Sequence, residues 1–199
     1  MRIVAAAIAA AILVAGCSDD PAQMLEDAEN AYFIGDYPTA VALFTSLAEQ
    51  GDPIAQTSLG YMFTDGLGVT QDVSQGLLWF ELAAEQGDPD AQYNIGLAFG
   101  LGRGATEDPS IAALWYQLAA EKGHALAQAD LADLYASGRG IAQDFNLAYT
   151  WAAVAAEQGV FSAAETRDAV AGELSPEALD AAFTMAQEYW QRYVVPFQN

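Results

Sequence analysis

Apolar residues recur along this chain at helical spacing, and the helices they mark come in pairs. Ala22, Leu25, Ala28, Tyr32 and Phe33 form one stripe, closed by Gly35. Ala40, Leu43, Phe44, Leu47 and Ala48 form the next, opened by Asp36-Tyr37-Pro38 and closed by Gly51. A third stripe, Ala55, Leu59, Met62 and Phe63, follows Asp52-Pro53 and ends at Gly66-Leu67-Gly68. A fourth, Gly76, Trp79, Phe80, Ala83 and Ala84, starts after Asp72 and ends at Gly87. Aspartate at each start can accept a bond from a free backbone amide, proline in the first turn forfeits only an unpaired N–H, and glycine takes the left-handed C-terminal conformation.

The third and fourth stripes are then written again. Asp52 to Gly87 laid over Asp88 to Gly123 gives 18 identical positions out of 36, and the same lag carries Trp79, Trp115 and Trp151 and the acids Asp72, Asp108 and Asp144. Small residues at Gly76, Ala112 and Ala148 allow close helix approach, with large rings three and four places later to fill the space between units. One helical hairpin buries only one of its sides, so successive units must stack. The expected fold is all-α, an α-solenoid of antiparallel hairpins. Its organisation is a signal segment over 1–16, a tether over 17–21, a first hairpin over 22–51, three 36-residue repeats over 52–159 and a C-terminal capping helix pair over 160–199. In the last helix Tyr189, Trp190 and Tyr193, with Phe197 beyond it, either fold back over the final repeat or leave a docking patch.

The N-terminal stretch is a targeting segment. Met1-Arg2 is a minimal positive region, Ile3 to Val14 is uncharged and apolar, and Val14-Ala15-Gly16 precedes the sole cysteine, Cys17. As a helix Ile3 to Gly16 would reach only about 21 Å, short of the ~30 Å of bilayer hydrocarbon. The run Val14-Ala15-Gly16-Cys17 resembles a bacterial lipobox, which implies acylation at Cys17, cleavage before it and anchoring through several acyl chains. The competing reading is an ordinary secretory signal beside an incidental cysteine. Ser18 after the cysteine leans toward the outer membrane.

Composition narrows the partners. Six Lys and Arg stand against 27 Asp and Glu, for a net charge of −21; without the segment holding Arg2, five basic residues remain and the charge is −22. Such a field repels nucleic acid and favours cationic partners, and also confers solubility. One cysteine permits no internal disulfide, and with a single histidine, His124, it permits no nitrogen–sulfur metal cluster. His124 takes the helix-start column of Asp52 and Asp88, where capping is its simplest use. Asp72, Asp108 and Asp144 recur one per unit, as caps do and as a catalytic carboxylate pair does not. No nucleophile elbow or phosphate loop is spelled, so no catalytic, cofactor-binding or metal-binding residue is assigned. Glu85, Glu121 and Glu157 lie against the helix dipole near C-termini, which hints at a donor in the adjoining unit. Arg103 and Arg139, in equivalent Gly-Arg-Gly turns, either pair with neighbouring acids or mark a contact edge.

The run Leu59-Gly60, Phe63, Gly66-Leu67-Gly68-Val69, Asp72, Trp79-Phe80 and Ala83-Ala84-Glu85-Gln86-Gly87 resembles the Sel1-like repeat, as do its two copies. The third copy departs at Ala132, where the others have glycine, and at Ala152, where they have an aromatic; looser packing is expected there. The first hairpin resembles a tetratricopeptide repeat. These resemblances imply a non-enzymatic scaffold whose first helices line a concave surface for a protein or peptide, and they place Thr57, Tyr61, Thr64, Asp90, Tyr93, Leu97, Ala129 and Asp133 on it. Some cysteine-rich relatives are linked to penicillin binding or β-lactam hydrolysis, but their paired cysteines are missing here. A third reading is an envelope assembly part that docks through the aromatic C-terminal helix.

Overall fold

A computed structural model of the chain describes residues 20–198; Cys17 and the signal segment lie outside the described residues. Among the described residues there are ten α-helices and no strand. They pair as α1 (Pro21–Phe33) with α2 (Tyr37–Glu49), α3 (Pro53–Asp65) with α4 (Val73–Glu85), α5 (Pro89–Leu101) with α6 (Pro109–Ala120), and α7 (Ala125–Ser137) with α8 (Phe145–Glu157). Then come α9 (Phe161–Ala171), α10 (Pro176–Tyr193) and a short 3-10 turn, Val195–Phe197. None of these helices is long and apolar enough to cross a membrane.

The starts follow from the caps. Asp52 and Asp88 accept from Ala55 N at 2.8 Å and Ala91 N at 2.7 Å, while Asp72, Asp108 and Asp144 do the same for the second helices. His124 caps α7 with Nδ1, which accepts from Ala127 N at 3.1 Å. The Gly-x-Gly turns split the work. Gly66, Gly102 and Gly138 end the first helices with φ near +70° (73°, 67° and 71°). The second glycine of each turn also has positive φ and presses against the preceding unit: a Cβ on Gly140 would meet the Pro109 backbone at 2.4 Å, and one on Gly68 would meet that of Tyr37 at 2.8 Å.

Stacking uses one side chain per unit as a wedge. Trp79 packs on the cluster of Phe44, Leu47, Leu59 and Met62, Trp115 on that of Phe80, Ala83 and Ile95, and Trp151 on that of Tyr116, Ala119 and Leu131. Buried glutamines tie the units as well. Gln56, Gln92 and Gln128 donate to the carbonyls of Ala48, Ala84 and Ala120, which end the helix of the unit before. Gln86 and Gln158 then donate to Gln56 and Gln128 at 2.8 and 2.6 Å. In the middle repeat Lys122 occupies that column and turns to the Gly87 carbonyl, so Gln92 Oε1 is buried without a partner.

Two expectations need correction. Phe33 is 89% exposed, because among the described residues no element packs on that side of α1. Nor is the third repeat loose. Gly60 and Gly96 lie under the rings of Phe80 and Tyr116, whereas Ala132 and Ala152 exchange the glycine–aromatic pair for two fully buried methyls. Tyr189 and Tyr193 of α10 fold onto Trp151, at 4.8 and 5.5 Å between ring centres, and fill the remaining space.

Candidate functional site

The first helices present one face, and its residues meet the next unit in two recurring pairs. Position 57 meets the helix start of the following unit: Thr57 donates to Asp88 at 3.0 Å, Tyr93 stacks on His124 at 4.4 Å, and Ala129 belongs to an apolar cluster that Val160 packs against. Position 61 meets a residue thirty-three places on: Tyr61 Oη accepts from Asn94 at 2.7 Å, and Asp133 accepts from Thr166 at 2.7 Å. Between them Leu97 has no polar group to offer, and Asp130, in the column of Asn94, turns instead to the hydroxyls of Tyr93 and Tyr116.

The face is therefore partly spent on holding the stack. Thr57 and Ala129 are buried, and Ala129, under Ala155 and Ala163, offers nothing to a partner. Leu97 is half-buried against the α5–α8 cluster, and Thr64 donates to the Tyr61 carbonyl of its own helix. Asp90 and Asp133 remain exposed, while Tyr61 and Tyr93 are half-buried. Sequence reasoning missed Asn94, Asp130 and Thr166. The signal available was the cross-unit column at residue 58, but Thr166 falls in α9, where the repeat spelling has faded.

One end of this face opens into a cavity of about 440 Å³ between α1, α2 and α3, lined by Glu29, Asn30, Tyr32, Phe33, Phe44, Ser58 and Tyr61. Its rim is aromatic and its charge is Glu29. A hollow of about 490 Å³ on α10 is lined by one helix alone, Thr184 to Arg192, and has no facing wall.

The acids of the face are Asp88, Asp90, Asp130 and Asp133, at the start of α5 and on α5 and α7, and no Lys or Arg occurs on α1, α3, α5 or α7; His124 Nε2 lies 3.3 Å from Asp90. That contact holds the Asp90 carboxyl below its ordinary value, and burial raises that of Asp130. Burial beside Asp130 pushes the Tyr93 and Tyr116 phenols well above theirs, so they stay neutral donors. Elsewhere Arg139 pairs with Glu107 and the Gly100 carbonyl, while Arg103, in the equivalent turn, is exposed and makes no ion pair among the described residues. Beside Glu85 and Glu157, Gln86 and Gln158 donate to Gln56 and Gln128, and Glu121 at the end of α6 accepts from Gln117 rather than from an adjoining unit.

Stacked antiparallel hairpins with a continuous face of first helices define an α-solenoid repeat protein. The Sel1 repeat family model matches residues 31–52, 53–88, 89–124 and 125–160, and the chain belongs to that family. Among solved structures it is similar to a Sel1 repeat protein from Oxalobacter formigenes, at 30% identity and a TM-score of 0.71, over 85% of this chain and 73% of that one. It is also similar to c5321, a protective antigen of uropathogenic Escherichia coli strains that displays an SLR fold. There the identity is 23% and the TM-score 0.59 over 89% of this chain, which spans 55% of that one; this likeness concerns the fold alone. Among curated proteins, none matches the chain.

Proposed function

We propose that this chain is a non-enzymatic scaffold that seats a cationic peptide or protein segment along α1, α3 and α5, and that acyl chains on Cys17 tether it to the periplasmic face of a bacterial membrane. The observation that carries the reading is the acidic face without a single Lys or Arg, ending in the aromatic cavity of Tyr32, Phe33 and Tyr61 beside Glu29. An apolar anchor in that cavity with basic residues running on past Asp88 and Asp90 would satisfy both parts of it. The family supports a protein-interaction role, and the lipobox spelling supports the anchor.

Phe33 and Glu29 are the residues to change, because both are exposed, whereas Tyr61 also holds Asn94 and packs on Phe80. A photo-crosslinker at position 30, where exposed Asn30 lines the same cavity, is expected to capture a basic partner in cells, and adding Glu29→Lys with Phe33→Ser to abolish that capture while helicity stays unchanged. Capture unaffected by the double change would refute the cavity as the seat. For the anchor, palmitate-analogue label is expected on the intact chain and not on Cys17→Ala; equal label on both would remove the lipid from the reading.

A further inference from the structure

The second helices carry an apolar stripe on the side away from the core. Leu78 and Leu82 of α4 are 52% and 44% exposed, and Leu114 and Leu118 of α6, one repeat on, are 64% and 44% exposed. They alternate with the buried residues Phe80, Ala83, Tyr116 and Ala119, so they occupy the opposite side of each helix. In α8 the same two positions are Thr150 and Val154, and both are fully buried, because α10 lies across them. Thr150 Oγ1 donates to the Ala182 carbonyl at 3.3 Å, and Val154 packs with Ala186 and Val194. The fold thus already places a helix on this surface in one repeat. Beyond α10 the chain turns at Val195–Phe197, and Phe197 lies beside Gly123 in the turn that follows α6, so the C-terminal segment that covers α8 already reaches the C-terminal end of the helix carrying Leu114 and Leu118.

From this continuity we infer that the outer face of α4 and α6 is a second docking surface, and that its occupant is an amphipathic helix of a partner protein with basic flanks. The charge beside the stripe selects that chemistry. Glu81, Glu85 and Glu121 border the leucines, and α4 and α6 contain no Lys or Arg. A second copy of the chain is a poor occupant. Face-to-face pairing would bring these acids together, and with Lys122, Arg139, Arg167 and Arg192 engaged with Gly87, Glu107, Asp168 and Tyr193, only Arg103, exposed in the α5–α6 turn, is left among the described residues to set against them. The surface is separate from the cavity at α1–α3, so the two readings stand or fall independently.

The probe is a synthetic amphipathic helix built from leucine and lysine, with fluorescence anisotropy measured at physiological ionic strength. Against the full chain with Leu78→Ser, Leu82→Ser, Leu114→Ser and Leu118→Ser, affinity is expected to fall at least about tenfold. Circular dichroism at the assay temperature should match the unaltered chain, since all four side chains are at least 44% exposed, although the loss of helix propensity lowers the thermal midpoint somewhat. Both chains carry Glu29→Lys and Phe33→Ser, which remove the seat proposed between α1 and α3 so that only the outer face is compared, and a Leu→Ser version of the probe is expected not to bind. Equal binding by the parent and the four-serine variant overturns the proposal. So does sedimentation showing a dimer that the serine substitutions dissolve, because the occupant would then be a second copy.

Discussion

Gly60 lies so close beneath Phe80 that a Cβ built on it would stand 2.4 Å from the ring. The ring cannot retreat, being buried and packed edge-on against Tyr61 at 5.2 Å. Gly60→Ala should therefore cost about 1–3 kcal/mol, more than the helix propensity it gains, and Phe80→Ala about 3–5 kcal/mol. The two together should cost no more than Phe80→Ala alone, since the added methyl enters the vacated space as Ala132 and Ala152 do. Denaturant unfolding of the three variants closes this cycle; additive costs would contradict it.

The glutamine ladder predicts unequal penalties for one chemical change. Gln56→Met and Gln128→Met each remove the acceptor for Gln86 or Gln158 as well as a bond to a helix end. Gln92→Met removes only the 3.3 Å bond to Ala84 and also discards an acceptor that had no partner. Its cost should be about 1 kcal/mol smaller. Thermal unfolding of the three substitutions tests the ranking.

Asp130 should weaken the fold at neutral pH. Burial raises its folded-state value, so its ionised form is penalised; the penalty is full above that raised value and vanishes below the ordinary 3.8. Asp130→Asn keeps an acceptor for Tyr93 and Tyr116 without the charge. The variant should melt higher at neutral pH, and its advantage should shrink as the medium is acidified toward 3.8. A constant difference in midpoint across that range would show that charge is not the cause.

Arg139 bridges a gap that the other repeats fill themselves. Gln71 and Gln143 donate to the Thr64 and Ala136 carbonyls, but Glu107 in the same column cannot donate to Gly100, and Arg139 reaches over to bond both. The pair is half exposed, so Arg139→Ala should cost at most about 1 kcal/mol. Adding Glu107→Gln should restore most of that, by making the middle turn like its neighbours. Chemical denaturation of the single and double variants reads this directly.

Much of the architecture was legible from the lag between copies, because a repeat states its own register. The caps at Asp72, Asp108, Asp144 and His124 and the glycines that end the first helices follow from residue types acting within one turn of chain. The candidate site was legible only as a set of columns. Whether a column residue faces solvent depends on the unit after it, and that unit has its own substitutions. Thr57, Tyr93 and Ala129 share a position, yet one bonds Asp88, one stacks on His124 and one is covered over by α9.

The amino-acid order by itself determined that hairpins form, where they begin and end, and that they must stack, since these depend on local hydrogen bonding and on apolar faces a lone hairpin leaves wet. Only the tertiary structure decided which of those faces stay open. It closed α8 with α10 and left Phe33, Leu78, Leu82, Leu114 and Leu118 exposed. Exposure is a property of neighbours brought together across the stack, and no periodicity within one helix encodes it.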